Sequence, residues 1–309
     1  MPTLFISHPV CLEHDTGAYH PERPERLTAI LRALDDKAFA PLVRTEAPYA
    51  DLAQIERVHP GSYVRSILAA VPASGHRHID SDTVLSPESG EAALRAAGGV
   101  VAAVDAVARG EVRNAFCAVR PPGHHAETAT AMGFCLFNNV AIGAHHARAV
   151  HGFHRVAVVD FDVHHGNGTQ EIFWKDADLF YASTHQYPCY PGTGGGGETG
   201  SANNVVNVPL APGSGSSEFR KGVTSRILPA LVAFRPDFLL ISAGFDAHAR
   251  DPLASLNLGD DDYAWVTAEL LKIADEACGG RVVSVLEGGY DLTALSTSAT
   301  AHIRALMAG

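Results

Sequence analysis

The chain reads as one α/β domain with a mostly parallel central sheet and helices on both faces, and three observations carry that reading. Short apolar runs recur along the sequence, Ala/Leu-rich stretches of helical character separate many of them, and polar clusters follow directly on several of the apolar runs. The strand candidates are Leu4 to Ser7, Phe116 to Val119, Val156 to Val159, Leu179 to Ser183, Val205 to Val208, Phe238 to Ser242 and Val282 to Leu286. Each is too short for a helix, and their buried, continuous apolar character suits parallel strands covered on two sides. Helices are expected at Arg26 to Leu34, Gly90 to Ala108, Asn139 to Val150, Glu218 to Phe234 and Asp262 to Cys278. Gly-, Pro- and polar-rich loops from His8 to Arg26, Pro72 to Gly90, Thr184 to Asn204 and Ala247 to Asp261 are too long to be turns and are candidates for the rim of a substrate tunnel.

The chain has 309 residues, 46% of them hydrophobic, enough for a substantial core in a single unit spanning 1–309. Its formal charge is -11, which makes direct nucleic-acid binding a poor expectation. The five cysteines form no CxxC pair and no even disulfide framework, so they read as thiols of a reducing compartment. The start, Met1-Pro-Thr-Leu-Phe-Ile-Ser-His, has no basic region, and no apolar stretch reaches spanning length. A cytoplasmic protein without membrane contact is expected. Gly192 to Gly197 lacks the Lys-Ser/Thr ending and the strand-to-helix context of a phosphate loop and reads as a flexible loop.

Three polar clusters carry chemistry: Arg120-Pro-Pro-Gly-His124-His125, Asp160-Phe-Asp162-Val-His164-His165-Gly-Asn167, and Ser242-Ala-Gly-Phe-Asp246-Ala-His248. An isolated aspartate after a strand commonly caps the next helix. Asp160 and Asp162, however, crowd like charges at the end of an apolar strand, where desolvation and repulsion call for a cation or strong donors. Asp160, Asp162 and His164, at alternating positions after Val156–Val159 that can point to one side, and Asp246 from a second strand therefore read as groups around one metal, with two of the carboxylates and the imidazole as its ligands. Two carboxylates and an imidazole are unusual for structural zinc and leave room for water and a carbonyl group. Iron, cobalt or manganese fit the same ligands, but zinc is preferred because it supports hydrolysis without redox chemistry.

The adjacent rings of His124 and His125 read as a proton-transfer pair, with Asp160 supporting one ring and Asn167 orienting the other without a full charge. After the strand Val282 to Leu286, Glu287-Gly-Gly brings Tyr290 toward a reacting carbonyl, where its hydroxyl can stabilise an oxyanion. The alternative for Tyr290 is a plug in the core. His165 and His248 read as loop or supporting residues.

These segments resemble the zinc-dependent histone deacetylase superfamily, of the arginase/deacetylase fold, and within it the bacterial class II-like histone deacetylase-like amidohydrolases. The resemblance runs from His20-Pro-Glu-Arg-Pro-Glu-Arg26 through the three clusters and Gly133-Phe-Cys-Leu-Phe-Asn-Asn139 to Glu287-Gly-Gly-Tyr290. It implies one catalytic zinc on Asp162, His164 and Asp246. It also implies His124 with Asp160 as the electrostatic histidine, His125 with Asn167 as the general base, and Tyr290 as the transition-state tyrosine. Asn167 stands where many class I members have Asp, and Tyr290 differs from the weakly active class IIa pattern with His. The resemblance further implies a structural potassium ion around Asp160, Asp162, His164, Ser183 and Thr184, held largely by backbone oxygens, and a second cation site near Phe173 and Leu179.

The same resemblance makes Phe134 and Tyr190 aromatic walls of an acyl-lysine tunnel, with Gly133 offering a backbone acceptor. Leu253 stands where a polyamine-selective relative has an acidic gatekeeper, and leucine cannot recognise a distal ammonium by charge. The expected activity is hydrolysis of N-acyl amines such as acetyl-lysine side chains, in peptides, proteins or small molecules. Acetylpolyamine hydrolysis and small aliphatic or aryl amides are the alternatives. A two-manganese arginase-type enzyme would need further carboxylates around the metal motifs, and a nonenzymatic acyl-amine binder would not need His124, His125 and Tyr290 together. A homo-oligomer is compatible with the sequence, which shows no interface periodicity.

Overall fold

A computed structural model describes all residues, 1–309. Its strands are β1 (Thr3–Ser7), β2 (Val43–Glu46), β3 (Arg77–His78), β4 (Val84–Leu85), β5 (Asn114–Cys117), β6 (Val156–Asp160), β7 (Leu179–Gln186), β8 (Val205–Leu210), β9 (Phe238–Ala243) and β10 (Val282–Leu286). Eight of them form one sheet in the order β2-β1-β5-β10-β9-β6-β7-β8, and every neighbouring pair is parallel. β3 and β4 make a separate two-residue antiparallel ladder in the loop after Pro72. An all-parallel sheet must be covered on both faces. The helices 89–108 and 139–151 pack together over β5, β6 and β9, while 25–33, 260–278 and 292–308 form a second packed group. A connected core of 82 buried residues makes this a single α/β domain. No helix is long and apolar enough to cross a membrane.

Helix ends follow local chemistry. Asn138 caps the helix Asn139–His151 by accepting the Ala141 N–H at 3.0 Å, and Gly152 closes it in the left-handed conformation (φ 70°). Asp291 caps Leu292–Ala308 by accepting the Ala294 N–H at 2.8 Å.

The structure departs from the sequence expectations at definite places. The single helix expected from Glu218 to Phe234 is instead Ser216–Gly222 and Leu228–Phe234 joined by a wide π turn, Val223–Ile227. Pro229 explains it: without an N–H it cannot bond to the carbonyl four residues back, and its ring crowds that turn. The edge strand β2, with every residue exposed, lacks the apolar signature by which the others are recognised. The carboxyl-terminal helix Leu292–Ala308 is likewise an addition to the expected elements.

Candidate active site

Four adjacent central strands, β5, β10, β9 and β6, deliver the three polar clusters and Tyr290 from their carboxyl ends. The site thus sits where the loops of an open parallel sheet converge. β6 ends at Asp160, so strand alternation does not gather Asp162 and His164 as the sequence suggested. A sharp turn does: the Asp162 N–H donates to Asp160 Oδ1 (3.0 Å), and the His164 N–H donates to Asp162 Oδ1 (2.9 Å). Aspartate side chains that accept main-chain N–H groups two residues on favour such turns.

Asp162, His164 and Asp246 meet in one buried group whose ligand atoms all lie within 4.8 Å of one another. His164 Nδ1 lies 3.2 Å from Asp162 Oδ1 and 3.1 Å from Asp246 Oδ2. Main-chain donors fix the carboxylates: the Val163 N–H reaches Asp246 Oδ1 at 2.8 Å, and the Gly288 N–H reaches Asp162 Oδ2 at 2.7 Å. Burial, followed by the charge of Asp162, pushes the Asp246 carboxyl up to about 7. The remedy for this conflict is a dication, and the Asp-His-Asp set suits zinc with an open coordination position.

The two imidazoles beside this group are stacked at a tilt, with centroids 4.0 Å apart. His124 Nδ1 faces Asp160 Oδ2 at 3.0 Å, and Asp160 Oδ2 also accepts the Tyr181 hydroxyl at 3.1 Å. His125 Nδ1 faces Asn167 Oδ1 at 2.9 Å, while Asn167 Nδ2 donates to Glu127 Oε1 at 2.9 Å and so fixes the amide orientation. The rings differ electrostatically. Burial disfavours the His124 imidazolium, but Asp160, Asp162 and Glu287 outweigh it and push the group up to about 10. Burial, followed by the positive charge of His124, holds His125 well below the ordinary histidine value.

Tyr290 is buried at the end of Glu287-Gly-Gly-Tyr290. The Arg26 guanidinium lies over its ring, 4.9 Å from the centroid, and Phe134 meets it edge-on at 5.9 Å. Burial pushes its hydroxyl well above the ordinary tyrosine value, so it remains a proton donor. Tyr190 stands edge-on to His125 (5.1 Å) and His164 (6.2 Å), while Phe134 lies on the Tyr290 side. Gly133 and Phe134 both have positive φ, 55° and 68°, an unusual conformation for phenylalanine. A Cβ on Gly133 would come within 2.8 Å of His125 Cγ, so only glycine lets this loop lie against the ring. Leu253 is exposed, and Ser183 lies beside Asp160 in the β6–β7 register. His165 is held by Thr193 Oγ1 (2.8 Å) and Gln170 Oε1 (3.0 Å), and His248 lies near Asp260 at 3.7 Å.

Three supporting groups escape the sequence reading. Glu287 Oε2 accepts the N–H groups of Gly123 (2.7 Å) and His124 (3.1 Å), holding the histidine turn against β10. Asp251 accepts the N–H of Tyr290 at 2.7 Å. Glu22 lies buried between Arg26 (3.0 Å) and Arg120 (2.5 and 2.7 Å), and Arg26 in turn donates to the carbonyl of Gly289 at 2.6 Å. The i,i+4 spacing of Glu22 and Arg26 is the one sequence signal among these.

Asp105, His146 and His151 form a second group with metal-binding residue types. Arg57 donates to His146 Nδ1 at 2.7 Å, which places the proton on Nε2, and Arg109 lies 3.3 Å from Asp105. Both imidazole Nε2 atoms approach the same Asp105 oxygen, at 2.8 and 2.6 Å. Hydrogen bonds and guanidinium charge already satisfy this cluster, which clasps two packed helices.

Residues 20–306 match the histone deacetylase domain family. The chain is 36% identical to the Type-2 histone deacetylase 2 of Dictyostelium discoideum over 99% of its own length, though it spans 21% of that relative. It is 39% identical to the histone deacetylase-like amidohydrolase of Pseudomonas aeruginosa, covering 93% of this chain and 81% of the relative. The crystal structure of the HDA15 HD domain superposes with a TM-score of 0.94 at 37% identity, over 100% of this chain and 89% of that one.

Proposed function

The chain belongs to the histone deacetylase family and is a zinc-dependent amidohydrolase, and on that premise we propose that it hydrolyses N-acyl amines, acetyl-lysine side chains foremost, to a carboxylate and a free amine. The observation that carries the reading is the buried Asp162, His164 and Asp246 group beside two imidazoles with different Nδ1 partners. Zinc bound there supplies Lewis acidity toward a carbonyl oxygen and makes water more acidic.

The chain's own groups divide the remaining work. Asn167 Oδ1 accepts from His125 Nδ1, leaving Nε2 unprotonated. That nitrogen takes the proton of the water that adds to the amide carbon, and the low proton affinity of His125 keeps the base in its accepting form at neutral pH. His124, held by Asp160, contributes positive charge that supports the developing oxyanion. The Tyr290 hydroxyl donates to the same oxyanion. As the C–N bond breaks, the His125 imidazolium returns its proton to the leaving amine.

Phe134 and Tyr190 flank the substrate chain, Gly133 offers its carbonyl oxygen, and Leu253 supplies apolar contact at the rim. A potassium ion among backbone oxygens of Asp160, Asp162, His164, Ser183 and Thr184 would steady the carboxylate turn, an assignment that rests on the family resemblance. The deciding experiment measures zinc-loaded protein against acetyl-lysine peptide, N-acetylputrescine, acetylspermidine and simple amides. Dominant peptide hydrolysis is expected. Dominant polyamine hydrolysis would overturn the substrate ranking, and stoichiometric binding without turnover would overturn the catalytic assignment.

A further inference from the structure

We propose that Asp251 is a positioning residue for the reaction, setting Tyr290 over the metal-binding group and tying that placement to the tunnel rim at Leu253. The inference rests on the reading of Tyr290 as oxyanion donor. Asp251 Oδ2 accepts the N–H groups of Tyr290 at 2.7 Å and Asp291 at 3.3 Å, and Oδ1 accepts the Leu253 N–H at 3.0 Å. One buried carboxylate therefore bridges the loop after β9, which carries the metal-ligand candidate Asp246, and the loop after β10, which carries Tyr290.

No ion pair accounts for this carboxylate. Its neighbour in sequence, Arg250, turns to Asp291 at 3.5 Å. Burial opposes its ionisation, as does the charge of Asp162. Nor is it needed to cap the last helix, because Asp291 already accepts the Ala294 N–H at 2.8 Å.

Its geometric effect is specific. Gly289 sits at φ 123°, in a region that glycine enters freely, so the segment before Tyr290 has little intrinsic stiffness. Arg26 holds that segment through the Gly289 carbonyl at 2.6 Å, and Asp251 holds the next N–H. Together they fix the peptide from which the ring projects. An oxyanion donor works only within a narrow distance range, so this anchor acts on the height of the hydroxyl.

Asparagine at 251 keeps the size of the side chain but accepts on one side only, presenting its NH2 to an N–H on the other. The test is a double-mutant cycle on zinc-loaded protein with an acetyl-lysine peptide, comparing Asp251→Asn, Tyr290→Phe and the double variant. Asp251→Asn should lower kcat by about 10- to 100-fold, the scale of a misplacement near 1 Å, with KM and zinc content near wild type. In the Tyr290→Phe background the same change should cost less than about twofold, because the hydroxyl it positions is gone. Equal losses in both backgrounds, or an unchanged kcat in Asp251→Asn, would overturn the positioning role while leaving the Tyr290 reading intact. Wild-type turnover in Tyr290→Phe would remove both. If Asp251→Asn does not fold, Asp251→Glu, which keeps the charge and displaces its oxygens by one methylene, is carried through the same cycle and judged by the same outcomes.

Discussion

Two buried carboxylates close on Gly288, which leads to a sharp expectation for Gly288→Ala. A Cβ at this position would lie 2.5 Å from Asp162 Oδ2 and closer still to Asp246 Oδ2. Ordinary carbon–oxygen approach is about 3.3 Å, so the Asp162 oxygen must withdraw by roughly 0.8 Å and the Asp246 oxygen by more. Metal-ligand distances tolerate only about 0.2 Å, so neither carboxylate can keep its place in a zinc site. Gly288 is not at positive φ, and alanine therefore adds this clash without backbone strain of its own. The Gly288 N–H bond to Asp162 Oδ2, now 2.7 Å, is disturbed by the same movement. Loss of a supporting contact alone typically lowers metal affinity by about 10- to 100-fold, and with two ligands displaced the loss should reach at least the upper end. Zinc competition against a chromophoric chelator measures it, with circular dichroism to confirm the fold. Zinc affinity within about threefold of wild type in a folded Gly288→Ala protein would refute the reasoning.

Tyr290→Phe should leave zinc affinity near wild type and lower kcat by roughly 10² to 10³, the scale of a lost oxyanion donor; a merely packed tyrosine predicts little change in steady-state kinetics. Leu253→Glu should raise the efficiency toward a cationic acetylpolyamine relative to an acetyl-lysine peptide, measured as a ratio of kcat/KM, and an unchanged ratio places the specificity element elsewhere. Burial opposes ionisation of Glu22, but Arg120 and Arg26 outweigh it and hold its carboxyl at about 2 against an ordinary 4.5. The folded-state value is the depressed one, so this contribution, about 3 kcal/mol, is fully present above pH 4.5 and is lost as pH falls toward 2. Urea unfolding at several pH values should show that decline in the wild type. It should be much weaker in Glu22→Gln, which at neutral pH should be about 3–5 kcal/mol less stable because two guanidiniums remain buried with one neutral partner.

The seven strands that can be read from apolar runs are the buried ones of the eight-stranded sheet, because burial on both faces demands continuous hydrophobic sequence. β2 escapes for the complementary reason: an exposed edge strand is held by its ladder with β1, and its side chains need not be apolar. The π turn at Val223–Ile227 is legible afterwards from Pro229, yet apolar periodicity alone runs through it.

Residue types and their order along the chain were enough to mark Asp162, His164 and Asp246 as a metal set, and His124, His125 and Tyr290 as its companions. Those choices rest on local chemistry, namely like charges after an apolar strand, paired imidazoles after a proline-restricted turn and glycines before an aromatic ring, together with the family resemblance, which separates Asp162 from Asp160. The tertiary structure alone decided how these groups are held. Glu287 restrains the histidine turn from another strand, Tyr181 shares Asp160 across the sheet, and Asp251 reaches Tyr290 from a loop 39 residues away in sequence. Each partner acts through a main-chain N–H or a single hydroxyl, and every residue but proline carries such an N–H. Sequence therefore cannot say which donor a buried carboxylate will meet; the order of strands in the sheet does.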